Sequence, residues 1–408
     1  MRRTHPIRFK GAIGVSDSTA LLPKIFLFDT TLRDGEQAPG NAMTSTQKVE
    51  LALAIESLGV DVIESGFPSS SAVDYEATRR IASELSTASV ATLSRAVRDD
   101  VKLAADAGGR ERHHLQIMAT GSDIHLEHKR GIGRDQAQNE VVDAIGYAKS
   151  LGVEHVTLAI EDASRGTDDL LRPLIERSVQ SGADTVVVAD TTGCLVPAEF
   201  GALIARIRSW VPPQTRISTH CHEDMGLSLA NALAGVEAGA DEVQATLGGI
   251  GERAGNTALE ELIAVLVHKG ASMGRSTTAR PEGLQRAFEL LCRAIDLSVP
   301  RNKAVFGVNA FATLAGIHQA GMLRNPITYE YIDPAFCGRE RMLLVGRHSG
   351  RAVLRHVAAE MDITLDETLV DRIYEQHVAN RGGGAGLDLH GLGELVKAEV
   401  SGTEVPTR

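Results

Sequence analysis

"LALAIESLGVDVIESG", residues 51–66, holds one full turn of the pattern that decides the fold. Its first half ends an amphipathic run, "TSTQKVELALAIESLG", that opens on threonine and serine as N-cap candidates and closes on a glycine that stops a helix. Its second half, "VDVIESG", is short, apolar and rich in β-branched residues, as a strand buried on both faces should be. The same helix-stop, strand-start grammar returns at "SLGVE" (150–154), "SGADT" (181–185) and "AGADE" (238–242).

Working outward, eight such runs can be counted: "IFLFDT" at 25, "VDVIESG" at 60, "SVATLS" at 89, "HLQIMA" at 114, "EHVTLAI" at 154, "DTVVVAD" at 184, "TRISTH" at 215 and "DEVQATL" at 241. Helical patterns separate them. Eight strand–helix units in about 250 residues predict an α/β fold, a (β/α)8 TIM barrel, spanning residues 24–290. An open doubly wound sheet would need a dinucleotide fingerprint after the first strand, and "DTTLRDGEQ" is not one. Beyond residue 270 the grammar breaks. An apolar helix, "LQRAFELLCRAIDL", runs toward Pro300, and residues 291–408 read as a mixed, mainly helical C-terminal region too irregular to extend the barrel. The tract "NRGGGAGLD" (380–388) reads as a loop, without the Lys-Ser/Thr pair of a phosphate-binding loop.

With 408 residues, 43% of them hydrophobic, the chain can bury a sizeable core. A net charge of −11 opposes binding to nucleic acid or an anionic membrane, so small molecules and other subunits are the expected partners. Cys194, Cys221, Cys292 and Cys337 lie far apart, which suggests neither a disulfide framework nor a thiolate zinc site and fits a reducing cytoplasm. Residues 1–23 are basic but lack the apolar core of a signal peptide and are expected to form a polar extension.

Chemistry in such a barrel gathers at the C-terminal ends of the strands. Those ends carry Asp29, Arg33, Asp34 and Gln37, then Glu64, Arg95, His125, Glu161 with Asp162, Asp190 with Thr191, His220 with His222, and "GGIGERAGN". His220 and His222, at i and i+2 of a strand, turn both imidazoles to one face, while Cys221 between them points to the other. Alone, the pair is more readily read as hydrogen-bonded core histidines than as a metal site. Asp34 lies beyond the first strand, which neighbours the eighth on closure, and Asn256 offers an amide oxygen from the last loop. Two imidazoles, a carboxylate and an oxygen donor suit Zn2+, Mn2+ or Mg2+ with positions left for substrate. Asp34 has a plainer alternative as a turn former before Gly35, and Arg33 as the other half of a barrel-mouth ion pair. The functional reading of Arg33 is stabilisation of an oxyanion. Thr191 could equally cap the following helix, and Glu161 and His125 could be satisfied core groups.

The stretch "DTTLRDGEQAPGNAMTSTQK", with Lys48 at its end, resembles the first signature of the α-isopropylmalate and homocitrate synthase family. "HCHEDMG" is similar to the second signature, and "GIGERAGNTALEE", "ESGFPSSSAVDYEA", "EDASRGTDDLL" and "GIHQAGMLRNPITYE" extend the likeness from residue 25 to about 355. The resemblance implies an acyltransferase that condenses acetyl-CoA with a 2-oxo acid and hydrolyses the thioester to a 2-substituted malate and CoA. It implies a divalent metal on Asp34, His220 and His222 with Asn256 as a fourth ligand, Arg33 on the keto oxygen, and Thr191 on the carboxylate. Gln37, Arg95 and His125 are expected to contact substrate. Glu161 resembles the family's active-site glutamate. His318 and Tyr329 resemble catalytic residues placed over a partner's barrel, which implies a domain-exchanged homodimer.

The departures bear on the substrate. Glu223 replaces the usual Asn or Asp, "ADTTG" leans toward homocitrate synthases, and Thr157 stands where those enzymes carry an arginine for a second carboxylate. A specialised relative, such as one acting on phosphonopyruvate, therefore stays open, with Arg95 or Arg130 available for an extra anion. An acyl-CoA lyase on the same barrel is disfavoured, because "GGIGERAGN" lacks the lyases' cysteine. Leucine feedback through a C-terminal regulatory domain is not expected.

Overall fold

The computed structural model describes residues 22–379 and 386–402, so most of the expected N-terminal extension and of the glycine tract lies outside the described residues. Eight parallel strands close into a barrel in sequence order: β1 (Phe26–Asp29), β2 (Val62–Gly66), β3 (Ser89–Arg95), β4 (His113–Thr120), β5 (His155–Glu161), β6 (Thr185–Asp190), β7 (Arg216–Cys221) and β8 (Glu242–Ala245). Each expected run is a strand, and the fold is the TIM barrel that the alternation implied. Closure is made by β1 against β8, with Asp29 opposite Ala245.

Eight helices follow the strands: α1 (Ser45–Ser57), α2 (Ala72–Glu84), α3 (Arg98–Gly108), α4 (Arg134–Ser150), α5 (Asp168–Gln180), α6 (Pro197–Trp210), α7 (Ser228–Glu237) and α8 (Leu259–Lys269). The start of α1 confirms the cap read from "TSTQ": the Thr44 side chain accepts from the Gln47 amide, and Gln47 reaches back to the Thr44 amide at 2.8 Å. One continuous core lies between strands and helices, containing fully buried Leu27, Ile63, Leu115, Ile217 and Val243. Phe28, Val62 and Ala91 form a separate apolar plug inside the barrel. Alternation along the strands thus sends one set of side chains to the helices and the other to the lumen.

After α9 (Leu284–Ile295), the chain is tied to the barrel by the Phe288–Phe306 stack, with centroids 3.8 Å apart, and by Lys303 on Glu260 at 3.0 Å. The C-terminal region holds a feature the sequence did not announce, a three-stranded sheet of order β11-β10-β9, built from β9 (Ala312–Thr313), β10 (Met342–Val345) and β11 (Leu387–Asp388). With α10 (Gly316–Arg324), α11 (Arg351–Glu360), α12 (Glu367–Tyr374) and α13 (Leu389–Ser401) it encloses a second, smaller core around Val345, Leu354 and Leu392. No described helix is long and apolar enough to cross a membrane.

Candidate metal centre and substrate cavity

The loop after β1 delivers Arg33 and Asp34 by folding back on one carbonyl. Thr30 O accepts from the amides of Arg33, Asp34 and Gly35 at 3.2, 2.9 and 3.1 Å. The Asp34 side chain caps nothing in the short helical turn that follows, which removes the turn-former alternative. It points instead to β7. Asp34 Oδ2 stands 3.2 Å from His220 Nε2 and 3.8 Å from His222 Nε2, and the two Nε2 atoms are 3.2 Å apart. All three side chains are buried, and their potential ligand atoms lie within 4.8 Å of one another.

Lone-pair donors packed this closely repel unless a cation or a proton sits among them. Two orphaned oxygens point the same way. Asp34 Oδ2 and Asn256 Oδ1 are buried without hydrogen-bond partners among the described residues, a costly state for oxygens unless an ion satisfies them. Burial alone would raise the Asp34 carboxyl, but the Arg33 guanidinium and the two imidazoles hold it well below the usual carboxylate range. Burial, then His220, pushes the His222 imidazole down to about 4, leaving it neutral and able to ligate. The residues therefore fit a divalent ion.

The backbone of Asn256 is bridged to that of His222, because "GIGERAGN" folds tightly beside the end of β7. A Cβ at Gly255 (φ +99°) would stand 1.9 Å from the Gly249 carbonyl oxygen, and one at Gly251 would stand 2.1 Å from Asn256 Nδ2. Only glycine permits that path. Cys221 packs into the helix-side core, away from the metal set, as strand alternation requires.

A cavity of about 520 Å³ opens above the three groups. Its β1–β2 side is polar: Arg33 Nε donates to Glu64 Oε2 at 2.8 Å, its Nη1 lies 3.2 Å from Asp34 Oδ1, and Gln37 accepts from it at 3.5 Å. Across the lumen the wall is apolar, made by Leu93, Met118, Ala159, Val187 and Ala189 from β3 to β6. Thr191 also faces the cavity. Its Oγ1 accepts from the Asp162 amide at 2.8 Å, which leaves the hydroxyl hydrogen to donate inward rather than to cap a helix. Glu161 lines the rim with both oxygens 2.6 Å from Lys129 Nζ. Asp162 beside it adopts a left-handed backbone (φ +59°), strain of a kind that collects at functional sites.

Other expected site residues lie elsewhere. Arg95 turns away from the cavity and grips Asp100 at the start of α3 through two bonds of 2.6 and 3.0 Å, so a carboxylate five residues on outcompetes the pocket for it. Arg130 is likewise held by Glu140 at 2.6 Å. His125 stands behind Glu161, 3.5 Å from its Oε2, and accepts from Arg165 outside the cavity wall. Glu223 does not face the metal set, since its Oε2 accepts from the Ser228 amide at 2.8 Å and from the Ser228 hydroxyl, capping α7. His318 and Tyr329 pack ring against ring, tilted by 33° with centroids 4.1 Å apart, on the C-terminal region and line no part of their own cavity. The residues missing from the sequence reading are Gln116 and Gln244, buried cavity-lining amides, with Lys129 and Arg253 at the rim. A glutamine inside each of the runs "HLQIMA" and "DEVQATL" was the available signal.

Comparison with known proteins matches residues 24–282 to a family model described as HMGL-like and residues 305–381 to one described as homocitrate synthase post-HMGL domain-like. The chain is 39% identical over 360 residues to a 2-isopropylmalate synthase of Methylorubrum populi, covering 86% of this chain and 68% of that relative. The chain belongs to the 2-isopropylmalate and homocitrate synthase family. A 2-isopropylmalate synthase of Aquifex aeolicus is equally similar, at 39% identity over 86% of this chain and 69% of its own length. A solved hydroxymethylglutaryl-CoA lyase from Pseudomonas aeruginosa shares the fold at a TM-score of 0.60 and 21% identity, over 68% of this chain and 95% of that one. Within the family, the expected C-terminal signature residues His318 and Tyr329 fall in the segment matched by the second family model.

Proposed function

We propose that the chain is an acyltransferase that condenses acetyl-CoA with a 2-oxo acid and hydrolyses the thioester, releasing a 2-substituted malate and free CoA, as a 2-isopropylmalate synthase does. The observation that carries it is the convergence of Asp34, His220 and His222 on one point beside the Arg33 guanidinium, under a cavity of substrate size. A divalent ion (Zn2+, Mn2+ or Mg2+) held by these three and Asn256 would make a ketone more electrophilic. Arg33, fixed by Glu64, donates to the keto oxygen as negative charge develops on it. Thr191 donates to the carboxylate, and Gln37 holds the guanidinium from the solvent side. The acetyl methyl group loses a proton, its carbon adds to the keto carbon, and the resulting alkoxide takes a proton; water then cleaves the thioester.

The 2-oxo acid's side chain lies on the β3–β6 wall, which is apolar. Each cation at the cavity already has a carboxylate: Arg33 has Glu64 and Asp34, Lys129 has Glu161, and Arg253 has Asp224 at 2.8 Å. This favours a 2-oxo acid with an uncharged, aliphatic side chain over one with a second carboxylate or a phosphonate. His318 and Tyr329 act on the acetyl group of the partner subunit's site in a domain-exchanged homodimer. The support is their absence from the lining of their own cavity and the apolar surface around them, where Ile317 is 78% and Tyr331 67% exposed.

The test is CoA thiol release with acetyl-CoA and a panel of 2-oxo acids, with mass analysis of the product. Release with branched or linear aliphatic 2-oxo acids supports the proposal. No release with any of them, by protein carrying bound metal, would sink it.

A further inference from the structure

Beneath the cavity, two glutamines meet across the lumen. Gln116 on β4 and Gln244 on β8 belong to strands that are not neighbours in the barrel, yet Gln244 Nε2 donates to Gln116 Oε1 at 3.0 Å. Both are buried, at 1% and 3% exposure. Gln116 Nε2 donates onward to Glu64 Oε1 at 2.6 Å, and His220 Nδ1 lies 2.8 Å from Gln244 Oε1. Glu64 is fully buried and accepts on its other oxygen from Arg33, which returns to Asp34.

The ring has one direction. Burial raises the Glu64 carboxyl and the Arg33 guanidinium opposes that; held as the carboxylate of this ion pair, Glu64 only accepts, so Gln116 must offer its NH2 to Glu64 and its oxygen to Gln244. Gln244 must then offer its NH2 to Gln116 and its oxygen to the imidazole. His220 is left to carry its proton on Nδ1 and to turn the Nε2 lone pair toward Asp34 and His222. The amides serve as two links that carry the sign of one buried carboxylate to a ring on the far side of the barrel.

We propose that Gln116 and Gln244 are positioning residues that set the tautomer of His220 from Glu64 and so tie the Arg33 side of the site to the metal side. The metal part of this rests on the proposed function; the tautomer does not. Neither glutamine touches a reacting atom in this role, and Gln116 does not touch His220 at all. A change at His220 on altering Gln116 is therefore a signature that simple packing would not produce.

The tautomer is read in metal-free protein with 15N-labelled histidine, by long-range 1H–15N correlation at a pH where His220 is neutral. Wild type is expected to show His220 protonated on Nδ1; protonation on Nε2 would overturn the proposal without any variant. Gln116→Met and Gln244→Met keep the volume, and each is expected to give a mixture of tautomers. Competition with a chelating dye is expected to show a rise in the Zn2+ dissociation constant of about 10–100-fold for each single variant. The double variant should lose no more than the worse single one, because a chain broken once is already broken. Folding is checked by circular dichroism, and Glu64→Gln, whose oxygen must accept from Arg33 and whose NH2 must then face Gln116, is expected to reverse both amides and move the His220 proton to Nε2. An unchanged tautomer in Gln116→Met, or losses that add, would overturn the proposal even if CoA release proceeds normally. Failure of CoA release with the tautomer result intact would instead count against the assigned reaction alone.

Discussion

Arg33→Lys keeps the charge and removes the shape. The guanidinium spans Glu64 Oε2 at 2.8 Å, Asp34 Oδ1 at 3.2 Å and Gln37 Oε1 at 3.5 Å, and still presents edge N–H groups to the cavity. A lysine ammonium has one nitrogen and cannot hold Glu64 while donating at the keto oxygen's position. Glu64 is fully buried, so the ammonium is drawn to it first. The substrate then loses its oxyanion donor, a loss of about 10²–10³ in kcat, or about 3–4 kcal/mol of transition-state stabilisation. Stability should fall by only about 1–2 kcal/mol, because Glu64 keeps Gln116 and a positive neighbour. The assay is steady-state CoA release beside elemental analysis for metal and a denaturant titration. A variant with full metal content and kcat within tenfold of wild type would refute the assignment of Arg33 to the keto oxygen.

Asp34→Ala and His220→Ala should each lose stoichiometric metal and turnover while keeping native circular dichroism; near-normal metal in both would place the centre elsewhere. Tyr329→Phe should lower kcat and leave KM for the 2-oxo acid unchanged, and an unchanged kcat would remove the hydroxyl from the chemistry. Mixing His318→Ala subunits with Asp34→Ala subunits should restore activity toward about a quarter of wild type, since half the dimers would be mixed and each would hold one intact site; mixing without recovery would mean that each chain serves its own cavity. Burial lowers His113, wedged between Thr92 Oγ1 and Gly109 O, to about 4. The neutral ring favoured by folding stabilises the protein fully above pH 6.5, and this contribution, up to about 3 kcal/mol, is lost as pH falls through 6.5 toward 4. Urea midpoints at pH 7 and 4.5 should therefore converge for wild type and His113→Leu on acidification; parallel slopes would show that His113 is not the group.

The barrel was legible because its strands are short and apolar on both faces and four of them follow a glycine stop, a pattern that survives without knowledge of any contact. The two histidines were legible as a pair because strand alternation is a local rule, and it placed Cys221 correctly as well. Asp34 needed the closure of β1 on β8, which the strand count supplied. What could not be read were competitions between partners. Nothing local says that Arg95 prefers Asp100 to substrate, or that Glu223 caps α7 rather than facing the metal set. The C-terminal sheet was missed because strands of two residues, such as Ala312–Thr313, have no periodicity to detect. Gln116 and Gln244 were visible as letters, but their meaning lies in a contact 128 positions apart.

The pairing of β1 with β8 also makes the metal set a clock for synthesis. Asp34 emerges early, whereas His220, His222 and Asn256 arrive about two hundred residues later, after seven strands have been made. At ~5–20 residues per second, translation leaves the carboxylate waiting on the order of ten seconds or more for its partners. If these residues hold an ion as proposed, partly made barrels cannot retain it through this site, and its capture would coincide with the last long-range strand pairing, so a loaded chain would be one whose ring has closed.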